Sequence, residues 1–310
     1  MKKAKIQPFS GMTFEEGCEK HFLYCRQRNL SETTLIRYRA CYSLFYKFFD
    51  PDMPLNELDA EKYNAYILYL HDRLDNAITI KSYLRALIAV LHYLMREGDL
   101  QPFEVHTIKA GESHKETYTD EELRWLLEKP NRKKCTFIQY QSWVITNFLF
   151  CTGVRSRSLV NIQVKDVDFE NSVVVIRVTK NRKVLIIPLN QTLVMILKDF
   201  LKCRQHKSPN DWLFCNAYGE QLKKGTCYVM LSRYNKSRGV ETTGLHRYRH
   251  TFAKQWILNG GNVVALSRLL GHSNLNITQN YINLLTTDLA KQVDEINLLD
   301  KYSGRKRIKM

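Results

Sequence analysis

The spacing of apolar and polar positions divides the chain into a helical first third, a polar interruption and a mixed second part. Thr13-x-x-Glu16 is a capping box that opens a helix running to about Asn29. Ser31 is a good N-cap for a second helix, where Leu35, Tyr38, Tyr42, Phe45 and Phe49 recur at helical spacing and form one stripe. Pro51 and Pro54 break that pattern. A third helix runs from about Leu58 to Leu74, with Tyr63, Tyr66, Ile67 and Leu70 on one side. The fourth, about Thr79 to Arg96, carries Ile80, Leu84, Leu87, Ile88, Leu91 and Met95, and Gly98 stops it.

Residues 101–115, "QPFEVHTIKAGESHK", have no apolar period and read as part of a linker; a second capping box, Thr119-x-x-Glu122, opens a new folded unit. The pattern there is helical with one break: "VVVIRV" (173–178) and "VLIIPL" (184–189) are β-rich runs flanking "TKNRK", the signature of a hairpin. Helical periodicity resumes over 191–204, 223–237 and 245–258, then in short segments at 262–270 and 275–285. Leu289, Val293, Ile296, Leu298 and Leu299 make the tail an amphipathic helix ending in a basic run. The expected organisation is a short extension (1–11), a helical domain (12–100), a linker (101–117), a second domain (118–285) and a tail (286–310). The expected fold class is mainly α, with a small β-sheet in an α+β second domain.

Composition changes this picture in one respect. Lys+Arg 47 against Asp+Glu 31 gives a net charge of +16, a surplus that favours a polyanionic partner, nucleic acid or an anionic membrane surface. No stretch approaches the ~18 consecutive apolar residues of a membrane span, and "MKKAKIQPFSGMTF" has no apolar region behind its charges, as a signal peptide would. The eight Cys are scattered without a C-x-x-C pair, and several sit inside apolar helical patterns. That usage suits a reducing cytoplasm and neither a disulfide framework nor a Cys-based zinc module.

The densest candidate chemistry is "LHRYRHTF" (245–252). His246 and His250 share one helical face, but the zinc-hydrolase version of that spacing needs Glu beside the first His, and here Arg247 stands there. A solvated basic face and a phosphate pocket both remain open. His246 and Arg249 are helical neighbours, and Arg offers a planar fork of donors that fits two phosphate oxygens, with an imidazole beside it able to donate or move a proton. Three further segments supply compatible parts. "LFCTGVRSRSLVNI" sets Arg155 straight after Thr-Gly, "VTKNRKVLIIPL" presents Lys180 at a hairpin tip, and "LLGHSNLNITQNYINL" places His272 after a Gly turn and Tyr281 beyond it. Together they provide a nucleophile, cations to stabilise a pentacoordinate phosphorane, and a proton donor. No acidic pair stands among them to hold Mg²⁺, so neither a metal nor another cofactor is expected.

On these four stretches the sequence resembles the phage-integrase family of tyrosine site-specific recombinases, especially its compact Xer-like and transposon-type members. The resemblance covers roughly residues 12–285 and is looser over the first domain. It implies a two-domain clamp on duplex DNA, with a helical core-binding domain and a catalytic domain. Tyr281 would attack the scissile phosphate, Arg155 and Arg249 would clamp its oxygens, and Lys180 would protonate the departing 5′ oxygen. His246 would accept or donate a proton beside the phosphate, and His272 would hydrogen-bond it. The phosphodiester energy would be kept in a 3′-phosphotyrosine link, without ATP. The implied partners are double-stranded DNA with short inverted-repeat core sites and three further copies of the chain, a tetramer on two sites, with the tail docking on a neighbour; no membrane is implied.

Taken singly, each of these residues has a plainer reading. Tyr281 is one of 17 Tyr, Lys183 rivals Lys180, Arg157 rivals Arg155, and His272 is placed to cap the turn after Gly271. Thr34 and Arg37 of the second helix and Lys81, Ser82 and Arg85 of the fourth lie opposite the apolar stripes. They are either a solvated face or DNA contacts. The chain departs from the family pattern at Ser158, where Glu is usual and would support a neighbouring cation, and at Lys180, which lacks an adjacent Gly. The few residues before the first helix leave no room for a separate arm-binding domain. Two other activities fit the same residues: relaxation of DNA of the type IB topoisomerase kind, and a non-catalytic DNA-binding regulator.

Overall fold

The computed structural model describes residues 11–111, 116–179 and 183–272. The chain falls into two compact units that divide between residues 114 and 115. Lys180, Tyr281, the 275–285 segment and the tail lie outside the described residues.

The first unit is built from four helices: α1 (Phe14–Gln27), α2 (Glu32–Phe45), α3 (Ala60–Arg73) and α4 (Ala77–Glu97). Local chemistry sets most of their ends. Thr13 and Glu16 form the capping box, with Glu16 N–H donating to Thr13 Oγ1 at 3.2 Å and Thr13 N–H to Glu16 Oε2 at 2.9 Å. Ser31 caps α2 through its hydroxyl, and Gly98, at φ 81°, ends α4 in the left-handed region that glycine adopts without strain. By length and composition α4 could cross a membrane, but its apolar stripe is core: Ile80, Leu84, Leu87, Leu91 and Leu94 are buried against α1, α2 and α3.

Two expectations shift. The second helix stops at Phe45, and Phe49 reaches the same core through a turn in which its N–H donates to the Phe45 carbonyl at 2.9 Å. Residues 101–111 lack regular structure, as the missing period predicts, yet Phe103, Val105 and Ile108 pack onto the helical core. Tyr63 also donates its hydroxyl to the His106 carbonyl.

The second unit is mainly helical around a small sheet. After α5 (Asp120–Leu127), α6 (Phe137–Thr152) runs through the middle, packed by α8 (Gln191–Cys203), α9 (Lys224–Ser237) and α10 (Leu245–Leu258). Val144, Ile145, Phe148 and Leu149 of α6 are fully enclosed, as a helix apolar nearly all round must be. Between α6 and α8 come the four-residue α7 (Ser156–Leu159) and a three-stranded antiparallel sheet in the order β1 (Val167–Asp168), β2 (Val173–Ile176), β3 (Leu185–Pro188). The expected hairpin is β2–β3, in register from Val173 opposite Pro188 to Ile176 opposite Leu185. β1 has two residues, too few for any alternation to show. A last short helix, α11 (Val263–Leu269), packs on α10 and β3.

Candidate active site

The C-terminus of α6 is where the site begins. Gly153 ends that helix at φ 59°, and Arg155 follows as the residue before α7, so its side chain leaves the main chain at a sharp turn. α10 is preceded by Gly244, which has no side chain to cap it. His246 and Arg249 lie on its first turns, and Arg249 reaches the end of α6. α11 ends in the turn Leu270-Gly271-His272, with Gly271 at φ 59° and the His272 N–H donating to the Ser267 carbonyl at 3.0 Å.

These three chain ends are joined through main-chain oxygens. Arg249 is buried; its Nη1 donates to the Gly153 carbonyl at 2.7 Å and its Nη2 to the Leu270 carbonyl at 2.8 Å. Arg155 Nη1 donates to the same Leu270 carbonyl at 3.2 Å. One oxygen thus holds two guanidinium groups side by side, which screens their repulsion and fixes their spacing. Arg249 Nη2 also lies 2.8 Å from His272 Nε2. A cleft of about 470 Å³ opens over this group, walled by Arg155, Ser158, Thr179, Lys183, Arg249 and His272.

His246 keeps an exposed edge, yet its pKa is lowered from the ordinary imidazole value. Partial burial of the ring is the main cause, and the Arg249, Lys224 and Arg155 cations add to it. Near neutral pH the ring is therefore uncharged and can accept a proton. The His250 ring centroid is 6.5 Å from that of His246, so the pair shares a face as the spacing predicts. Tyr248 is fully buried and bonds Asn235 Oδ1 at 2.9 Å. Arg247 turns away to the Thr117 carbonyl at 3.0 Å and the Tyr118 ring. Among the described residues, no cluster of three or more His, Cys, Asp or Glu gathers to hold a metal ion.

Of the expected catalytic residues, the structure brings Arg155, Arg249 and His272 together in the cleft, with His246 beside them. The rival Arg157 is exposed and lines no part of it. Lys183 does line the cleft, and Thr179 Oγ1 donates to its carbonyl at 2.7 Å across the hairpin base. Lys180 and Tyr281 lie outside the described residues. Ser158, where Glu is usual in the family, is buried and donates its hydroxyl to the Val178 carbonyl at 2.8 Å, tying α7 to the segment between β2 and the hairpin loop. The carbonyls of Gly153 and Leu270 were not singled out from the sequence. The only signal was the glycine within "TGVR" and after "SRLL", each marking a turn that exposes nearby oxygens.

In the first unit, the five candidate DNA contacts come together. Thr34 and Arg37 of α2 and Lys81, Ser82 and Arg85 of α4 line one cleft of about 370 Å³, with Tyr38, Ile78 and Ala86.

Comparison with known proteins agrees with this arrangement. Residues 116–287 match the phage integrase family, and residues 18–108 match the phage integrase SAM-like domain. Tyrosine recombinase XerA of Pyrococcus horikoshii is 26% identical over 290 residues, covering 92% of this chain and 95% of that one. Tyrosine recombinase XerD of Listeria innocua is 25% identical over 287 residues, covering 88% and 95%. Among solved structures, the Tn1549 transposon integrase with transposon right end DNA superposes with a TM-score of 0.73 at 21% identity, over 92% of this chain and all of that one. A lambda integrase dimer on a core site gives 0.70 at 17%, over 87% and 95%. The chain belongs to the phage integrase family and is a tyrosine recombinase, an enzyme that breaks and rejoins DNA strands.

Proposed function

We propose that the chain exchanges strands between specific sites in double-stranded DNA, with Tyr281 as nucleophile and the Arg155–Arg249 pair holding the scissile phosphate. The observation that carries this reading is the shared Leu270 carbonyl, which seats two guanidinium groups side by side at the floor of an open cleft. Paired forks of this kind match the two non-bridging oxygens of a phosphodiester and stabilise the added charge of a pentacoordinate phosphorane.

In the first step the Tyr281 oxygen bonds to phosphorus as the P–O5′ bond breaks. The phenolic proton passes to a base, for which the uncharged His246 is suited, and Lys180 protonates the leaving 5′ oxygen. The product is a 3′-phosphotyrosine and a free 5′ hydroxyl. Attack by a 5′ hydroxyl from another strand reverses the step, so no ATP is consumed. His272 donates a hydrogen bond to the phosphate.

The candidate DNA contacts Thr34, Arg37, Lys81, Ser82 and Arg85 would face the duplex, which the net charge of +16 supports. A core site of short inverted repeats, a tetramer on two such sites and action in the bacterial cytoplasm complete the proposal. The amphipathic tail would dock on a neighbouring protomer. An apolar cleft of about 810 Å³ at Phe252, Trp256, Val264 and Leu269 supports that by offering a surface suited to Leu289, Val293 and Ile296.

A nicked suicide duplex is the direct test. Wild type is expected to form a covalent protein–DNA adduct and Tyr281→Phe none. An adduct with Tyr281→Phe removes Tyr281 as the nucleophile, and relaxation of any supercoiled plasmid without site preference removes the site-specific reading.

A further inference from the structure

The cleft between α2 and α4 holds its cations in two different states. Arg37 is tethered: its Nη2 donates to Ser82 Oγ and lies 3.4 Å from the Ser82 carbonyl. Lys81 and Arg85 line the same cleft and, among the described residues, have no hydrogen-bond or ion-pair partner. A tethered guanidinium has already given up much of its rotamer freedom, so a directional contact orders it at little further cost. An untethered cation follows a phosphate wherever it lies and carries no sequence information.

The neighbourhood is also not purely ionic. Ile78, at the start of α4, lines the cleft and is 44% exposed. A bare apolar side chain among cations gains nothing from phosphates, but it suits the methyl group of thymine, which only the major groove displays. The Thr34 hydroxyl is engaged by Ser31 Oγ at 2.8 Å, and among the described residues that line the cleft it is the Arg37 fork that a neighbouring side chain orients in advance.

We infer that Arg37, positioned by Ser82, is a specificity-determining residue that reads a guanine edge in the major groove. Ile78 lies against a neighbouring thymine methyl, and Lys81 and Arg85 bind phosphates without reading sequence. This rests on the proposal that the cleft faces duplex DNA. Guanine is the base whose major-groove edge offers two acceptors, O6 and N7, to such a fork.

The test uses the full chain and a library of randomised duplexes, sequencing the bound fraction and then measuring affinity against salt on the selected duplex. Wild type is expected to select guanine at one position by roughly ten-fold or more. Arg37→Lys keeps the charge and loses that selection, Ser82→Ala weakens it, and Ile78→Ala loses an adjacent thymine. Lys81→Ala and Arg85→Ala weaken all duplexes alike, each lowering the slope of log affinity against log salt by about one. If Arg37→Lys weakens every duplex equally, or leaves the selection intact, the inference fails while the DNA-facing cleft stands on the two phosphate variants. If Lys81→Ala, Arg85→Ala and Arg37→Lys all bind as wild type does, the cleft does not face DNA and both fall together.

Discussion

Arg249 Nη2 and His272 Nε2 lie 2.8 Å apart. A guanidinium has only donors, so the imidazole nitrogen facing it is the acceptor, and the His272 proton sits on Nδ1. Arg249 thereby sets the tautomer of His272 as well as making its own contact. Replacing Arg249 with Lys, a point charge that cannot reach two carbonyls and an imidazole together, is expected to lower single-turnover cleavage by about 10²–10³-fold. Arg155→Lys should act in the same range. The double variant should lose much less than the product of the two, because one oxygen seats both side chains. Rapid-quench cleavage of a nicked duplex measures all three.

Gly153 tests the turn at the end of α6. Its φ is 59°, and an added Cβ would meet Phe252 Cδ1 at 2.5 Å and Leu270 Cδ2 at 2.8 Å. Gly153→Ala is expected to destabilise the second unit by about 2–4 kcal/mol, from left-handed strain plus overpacking. Displacing Leu270 should also disturb both arginines. Thermal unfolding reads the first effect and cleavage at low temperature the second.

Lys180 as general acid predicts a chemical rescue. Lys180→Ala should cut ordinary DNA about 10²–10⁴-fold more slowly. A duplex with a 5′-bridging sulfur at the scissile position should be cut nearly as fast as by wild type, because a thiolate leaves without protonation. Lys183→Ala, from the neighbouring cleft wall, should show neither the defect nor the rescue. If Lys183→Ala shows both, the proton donor is Lys183.

His21 makes the first unit sensitive to acid. It is 3% exposed, its Nδ1 is 2.6 Å from Tyr42 Oη, and burial lowers its pKa from 6.5 to about 4. The Tyr42 hydroxyl stays protonated and donates, so the ring accepts as a neutral base. A folded-state pKa below the unfolded value favours the fold above pH 6.5 and costs it stability as pH falls toward about 4. The cost across that window is about 3 kcal/mol. Urea unfolding at pH 7 and pH 4.5 should show a larger drop for wild type than for His21→Gln, which accepts the Tyr42 bond without titrating.

Ser158→Ala removes the only donor to the half-buried Val178 carbonyl among the described residues, at a cost of about 0.5–1.5 kcal/mol for a lost hydrogen bond. Ser158→Glu restores the carboxylate usual in the family, but the Glu cannot donate to that carbonyl when ionised. It should therefore be less stable than wild type, by denaturant titration, despite its resemblance to the family pattern.

Helix ends were legible in the sequence because their chemistry is local. Thr13, Ser31, Thr119 and Gly98 each act within a turn of where they stand. The convergence of Arg155, His246, Arg249 and His272 was legible only through motif order, since nothing local to any one of them points to the others. β1 is too short to carry a period, and Phe103, Val105 and Ile108 pack without one. The role of Ser158 is hidden in the sequence because its partner, the Val178 oxygen, lies 20 residues on, just past the end of β2. Main-chain carbonyls, which every residue possesses, leave no mark of their own in a sequence, and only the glycines of the neighbouring turns hint at them.

The seats of Arg155 and Arg249 are made of such oxygens, those of Gly153 and Leu270. A seat built from backbone depends on the path of the chain and hardly on the identity of the side chains around it. Most substitutions in the surrounding helices therefore leave the two cations where they are, provided the turns keep their course. The geometry of cleavage is in this way shielded from sequence drift, and divergence can accumulate in surfaces that choose the DNA without detuning the reaction performed on it.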